Sequence, residues 1–248
     1  MSRRVYQRND IDFEYVHPIS GKTNLQLMQA GQAPIGNDGK PVQLHHVLQK
    51  ESGPMVEIRE TTHEEYNRIL HGLGVSGASF RRGPVLDRQY ANFRRQCWKW
   101  RARQYQKEKT VNSNLTSLIT RYERPGDFTH MSPSKDMIAA AERLLGISIP
   151  EQFIEFLQEY SYGGIGGVTI LGVGLDQSMT FLEVTLDYRK YGLPHNLLAV
   201  ENCDEWLYCL DCDTGEVVSW SQADGVLPGY PSFDNFLLQD LKDAIENL

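Results

Sequence analysis

An α+β chain in two domains is what the sequence predicts, and three observations carry that prediction. Charge changes sign along the chain. Residues 1–110 hold 18 Lys and Arg against 11 Asp and Glu, a net of +7, whereas residues 111–248 hold 7 against 21, a net of −14. A polar, turn-rich stretch lies at the crossing, with Ser113, Asn114, Thr116, Pro125-Gly126 and Pro133. Beyond it, strand-like runs follow one another between flanking helical patterns, as in α+β folds. A length of 248 residues suits two domains of ordinary size. The expected division is 1–109, a polar linker at 110–133, and 134–248. No run approaches the ~18 apolar residues of a membrane span. Nothing after Met1-Ser2-Arg3-Arg4-Val5-Tyr6 has the apolar core of a signal peptide. The chain is expected in the cytoplasm, with no membrane partner.

The elements follow in order. Residues 23–30 read as a helix, and 42–47 and 55–58 as strands. Thr61 or Thr62 is a good N-cap for a helix reaching about Leu70, with Glu64 and Glu65 early in it and Gly72 and Gly74 ending it. A longer helix is expected over 87–107, because Tyr90, Phe93, Cys97 and Trp100 recur at helical spacing. Its other positions are basic: Arg88, Arg94, Arg95, Lys99, Arg101 and Arg103. Trp98 and Trp100 are expected to pack rather than stack on bases. In the second half, 134–145 and 150–160 read as helices, the latter opened by Pro150. A buried strand at 168–173 follows two glycine pairs. Then come a helix at 181–191, strands at 197–200, 205–209 and 216–220, and a closing helix from Phe233 to about Glu246. Cys209 and Cys212 form a CxxC with no second pair, and it runs into a turn. That pattern fits reduced, structural cysteines better than a zinc or redox site.

Histidines concentrate at the start, five of seven within the first 71 residues. Imidazole can bind a metal or act as a base near neutral pH. Strand neighbours point to opposite sides, so His45 and His46 divide naturally into one ligand and one base. His63, Asn67 and His71 are spaced four apart and share a helix face. Beside the basic helix, which could neutralise phosphates without reading sequence, this set suggests phosphodiester chemistry.

The run from Asn24 to Gly36, then Asp38-Gly39-Lys40-Pro41-Val42-Gln43-Leu44-His45-His46, resembles the LHH branch of the HNH/endonuclease VII nucleases. The likeness continues through Gln49, Gly53-Pro54, Glu57-Ile58, His63 and Leu70-His71 to Phe93-Arg94-Arg95-Gln96-Cys97-Trp98-Lys99-Trp100-Arg101-Ala102, covering roughly 3–105. It implies a ββα-metal core and a bacterial toxin nuclease that cuts DNA with one divalent ion (Mg, Zn, Mn or Ni). It also implies His45 as metal ligand, His46 as general base, and His63 and His71 as ligands or phosphate contacts. Asn67 and Gln49 would orient. Which of His63, Asn67 and His71 binds the metal stays open.

Residues Ile138 to Phe153, Phe156-Leu157, Tyr160, Gly163-Gly164, Trp206-Leu207-Tyr208-Cys209-Leu210-Asp211, Val218-Ser219-Trp220 and the last helix resemble, in order, the SUKH (SMI1/KNR4) superfamily over about 132–248. That likeness implies helices around a twisted, mainly antiparallel sheet and, in bacteria, an immunity protein that blocks nuclease toxins. Asp204, Glu205, Asp211, Asp213 and Glu216 are the expected inhibitory surface. The functional expectation is a nuclease held inactive by its fused immunity-type domain, in cis or across a dimer. A nuclease unit in a longer toxin would be delivered to target cells. The rival is a non-catalytic DNA- or protein-binding module with an acidic adaptor.

Overall fold

The structure is a computed structural model that describes residues 4–48, 53–72 and 83–246. Gln49 and Gly74 lie outside the described residues. The chain forms two compact units, Met1–Glu108 and Lys109–Leu248, each with its own core.

The first unit is built on a three-stranded sheet ordered β1 (Val5–Tyr6), β3 (Met55–Ile58), β2 (Gln43–His46). β1 pairs with β3 in parallel, and β2 pairs antiparallel with it, His45 opposite Val56 and His46 opposite Met55. Alternation sorts the side chains onto two faces. Leu44, His46, Met55 and Glu57 turn towards the long helix α4 (Pro84–Tyr122), where Tyr90, Trp98 and Ala102 complete the core. His45 turns the other way, towards α2 (Glu60–Glu65) and α3 (Asn67–Leu70). α1 (Asn24–Gln29) starts with a Thr23–Gln26 capping box. Its fully buried Asn24 clamps the next loop, donating to the Asp12 and Ile35 carbonyls and accepting from the Ile35 amide at 2.6 Å. Gly31, at φ +82°, lets α4 approach: a Cβ there would lie 2.2 Å from the Arg95 side chain.

The second unit carries a four-stranded antiparallel sheet in chain order: β4 (Leu197–Asn202), β5 (Leu207–Asp211), β6 (Val217–Ser221), β7 (Gly225–Tyr230). Around it are α5 (Lys135–Leu145), α6 (Glu151–Glu159), α7 (Thr180–Arg189) and α8 (Phe233–Glu246). Ser134 caps α5, and Gly146 ends it in the left-handed conformation. Phe153, Phe156, Phe181, Phe233 and Phe236 fill the core.

Four expectations change. The stretch 110–133 is not a linker throughout, because α4 runs to Tyr122. Its Ser, Thr and Asn residues conceal a helical stripe in which Leu115 and Ile119 are buried in the second core, with Val111, Leu118 and Tyr122 beside them. The expected strand at 168–173 makes only isolated bridges, Ile170 with Gly163 and with Glu201, and Val173 with Met179. Gly172 there sits so close to the Ser161 carbonyl that a Cβ would lie 1.7 Å from it. No strand is among the expected elements at β7, which holds Pro228 and Gly229. As an edge strand it tolerates both. Neither Thr61 nor Thr62 is the N-cap. That position falls on Arg59, and Asp38 reaches in from the preceding loop to accept from the Thr61 amide and hydroxyl.

A register shift between Ala199 and Glu201 pairs Ala199 with Cys209 but Glu201 with Tyr208. Glu201 therefore faces the side of Tyr208, whose ring is 4.9 Å from Phe236 of α8. Burial first, then the nearby Asp240 of α8, push the Glu201 carboxyl up to about 7. Burial and Asp243 push Asp240 up to about 6. Glu201 Oε2 and Asp240 Oδ2 are both buried without a hydrogen-bond partner among the described residues. Raised carboxyls stabilise the fold fully below their unfolded values near 4, and that contribution is lost as pH rises towards 7. Chemical denaturation should show the unit about 2–3 kcal/mol less stable at pH 8 than at pH 5 on this account. Glu201→Gln should remove most of that slope, and an unchanged slope in the variant would refute the assignment.

Candidate metal centre

Three histidine rings meet on the α2–α3 side of the first sheet. His45 and His63 centroids are 5.0 Å apart, His45 and His71 5.1 Å, and His63 and His71 5.1 Å. One ligand atom from each lies within 4.8 Å of the others. His45 Nδ1 and His63 Nε2 are 3.1 Å apart, close to the ~3.3 Å between nitrogens sharing a tetrahedral zinc.

The backbone explains the convergence. On one straight helix, eight residues separate His63 and His71 by about 12 Å along the axis. The helix breaks at Tyr66 (φ −98°, ψ 17°), so α2 and α3 meet at an angle that brings the rings together. Two main-chain acceptors then orient the rings. His71 Nδ1 donates to the Asn67 carbonyl at 2.9 Å, which leaves Nε2 for the centre. The Leu70 main chain accepts a hydrogen bond from the His45 ring. Burial, followed by the neighbouring His63 and His71, pulls His45 down to about 4. A neutral imidazole is the form that binds metal, so the donor set fits a divalent cation. His45 is buried, His63 half-buried and His71 exposed, so the cluster is open on one side.

The expected site residues are thus partly assembled. His45, His63 and His71 come together. His46 is 6% exposed on the opposite face, its ring 5.1 Å from Tyr90, and Tyr90 donates to the Leu44 carbonyl at 2.7 Å. Asn67 contributes its main-chain carbonyl, an acceptor any residue could supply. Gln49 lies outside the described residues. The Asp38 cap, the Lys40–Glu64 ion pair at 3.0 Å and the Leu70 backbone contact were missed. In sequence, the run Gly36-Asn37-Asp38-Gly39 has the composition of a turn, which hints at the first of these.

Of the basic helix, Arg88, Arg94, Arg95 and Arg103 are exposed and Lys99 is half-buried. The Arg94 guanidinium lies 5.5 Å from the Tyr90 ring. Arg101 corrects the expectation. It is buried, ion-paired with Glu57, and donates to the Arg8 carbonyl, so phosphate cannot reach it. Its helical position turns inwards with Trp98 and Ala102. The acidic set also divides. Asp204 and Glu205 stand in the β4–β5 turn, whereas Asp211, Asp213 and Glu216 stand at the far end of β5, on the order of 15 Å away. Asp211 is engaged there, accepting from the Asp213 and Thr214 amides. All four cysteines are free thiols, and burial pushes Cys97 up to about 11 and Cys212 to about 12.

Residues 23–104 match the LHH family model, described as a nuclease of the HNH/ENDO VII superfamily with conserved LHH. Residues 114–242 match SUKH_5, described as SMI1-KNR4 cell-wall. Fold and site together define a nuclease-superfamily domain followed by an immunity-type SUKH domain. The second match spans more than half of the chain, and the chain belongs to the SMI1-KNR4 family. A crystal structure of a protein from Pseudomonas syringae pv. tomato is similar over 52% of this chain and 98% of that one, at 27% identity and a TM-score of 0.43. Among the described residues, no helix is long and apolar enough to cross a membrane.

Proposed function

We propose that the first unit is a metal-dependent endonuclease acting on DNA and that the SUKH unit restrains it, in cis or across a dimer. The His45–His63–His71 triangle carries this reading, because three nitrogen donors with an open side make a catalytic rather than a closed structural centre. A divalent cation bound there supplies Lewis acidity to the scissile phosphate and to the departing 3′ oxygen. Imidazole donors suit Zn or Ni better than Mg. His45, His63 and His71 hold the centre, and the Asn67 carbonyl fixes the His71 ring. His46, next along β2 and outside the donor set, takes the proton of the attacking water in this reading, which requires its buried ring to turn out from Tyr90, with Gln49 as an orienting residue. Arg88, Arg94, Arg95, Lys99 and Arg103 neutralise phosphates. Acidic groups of the second unit compete with DNA for that helix, and complementary charge speeds such association. Linkage in one chain raises the effective concentration of each unit for the other. The intact chain resides in the cytoplasm; in a longer toxin, the nuclease unit is delivered to target cells.

Burial of His46 against Tyr90 favours a second reading, a non-catalytic binding module with an acidic adaptor. Plasmid nicking with added Mg, Zn, Mn or Ni separates the two. The intact chain should nick slowly and residues 1–108 faster, while His46→Ala should lose 10²–10⁴-fold, as expected of a general base, and keep its metal. Equal nicking by both lengths removes the restraint. Full activity in His46→Ala removes the base. No nicking by any form leaves the binding module.

A further inference from the structure

An apolar groove of about 320 Å³ runs between the β1 segment and α4, lined by Val5, Gln7, Phe93, Gln96, Cys97 and Trp100. Trp100 is 45% exposed, whereas Trp98, two residues earlier, is 2% exposed. Both tryptophans are expected to pack, yet Trp100 leaves the core and presents its ring at the groove. No carboxylate lines the groove. One exposed cation, Arg103, stands one helical turn beyond Trp100 on α4.

We propose that this groove takes an unstacked nucleobase, so that the first unit grips a single-stranded or locally opened stretch of nucleic acid away from the metal centre. The inference rests on the nucleic-acid substrate proposed above and assigns it a second point of contact. Flat π-faces beside cationic side chains are how proteins hold single strands without strong sequence preference. The Gln7 and Gln96 amides each offer donors and an acceptor suited to base edges. Position separates this contact from the chemistry. Val5 and His46 both oppose Met55, from its two sides, so two strand spacings, about 10 Å, lie between their backbones. His45 and the ligand triangle face the other side of the sheet. A base held by Trp100 therefore belongs to a nucleotide removed from the cleaved phosphate, and its loss should weaken binding without slowing the chemical step.

The test measures anisotropy of a labelled 12-nucleotide single-stranded DNA with the intact chain, at low salt and with chelator present so that nothing is cut. Trp100→Ala should bind about 5- to 100-fold more weakly, the range for losing one stacked base, and Trp100→Phe should recover most of the affinity. Blunt duplex of the same sequence should bind both forms alike. Unchanged single-strand affinity in Trp100→Ala, or no single-strand binding by the parent chain, overturns the proposal. Equal weakening on duplex and single strand points to a backbone contact and overturns it too. A Trp100→Ala chain that dissociates from dimer to monomer in sedimentation makes the groove a self-association surface instead. A chain that binds single strands through Trp100 but cuts nothing with any metal sinks the nuclease reading and leaves the groove standing.

Discussion

His45→Ala should lower the affinity for zinc by more than about 100-fold, the upper end of what losing even a supporting partner costs a metal site. Isothermal titration with the intact chain measures this directly. His45 is the buried corner of the triangle, its Nδ1 3.1 Å from His63 Nε2, and its replacement leaves two donors on a broken helix. Linkage adds a second readout. Metal at a hundred times its dissociation constant stabilises the folded protein by about 2.7 kcal/mol. Chelator should therefore lower the melting temperature of the parent chain and leave that of His45→Ala unchanged. Parent-like zinc affinity in His45→Ala would dismantle the centre.

Arg101→Ala should be the most damaging single change in the first unit. Glu57 has a fully buried side chain, accepts from Arg101 and accepts from the Arg8 amide at 2.9 Å. Burial pushes the Glu57 carboxyl up, against the pull of Arg101. Removing one partner of a buried ion pair strands the other charge and costs about 3–5 kcal/mol. In a domain of this size that lowers the melting temperature by more than about 10 °C. Arg103→Ala, two residues on and exposed, should change stability by less than about 0.5 kcal/mol but weaken DNA binding and flatten its salt dependence. A heat-stable Arg101→Ala that loses DNA binding would restore the phosphate role that burial denies it.

Much of both units was legible because it rests on local pattern. The His45–His46 pair on a strand predicted opposed side chains, and the rings do part to opposite faces of β2. Ser134 and Pro150 mark helix starts that the structure reproduces within a residue. What stayed hidden depends on tertiary context. A run of basic residues on one helix does not say which one turns inwards to a buried carboxylate, so Arg101 was grouped with its exposed neighbours. Polar residues at 110–122 concealed Leu115 and Ile119 because a narrow apolar stripe suffices when a second core waits for it. Charge in the acidic half said nothing about which end of a strand each carboxylate occupies. The equal spacing of His63, Asn67 and His71 suggested a shared helix face. Their meeting instead required a break that no proline or glycine announces.

That break at Tyr66 sets stability and function against each other at one residue. Swapping an exposed tyrosine for a stronger helix former is ordinarily a safe gain of a few tenths of a kcal/mol. Here the better helix is the straighter one, and a straight helix draws two corners of the triangle apart. Any programme of surface stabilisation would have to treat 60–71 as a segment whose imperfect helicity is itself worth keeping.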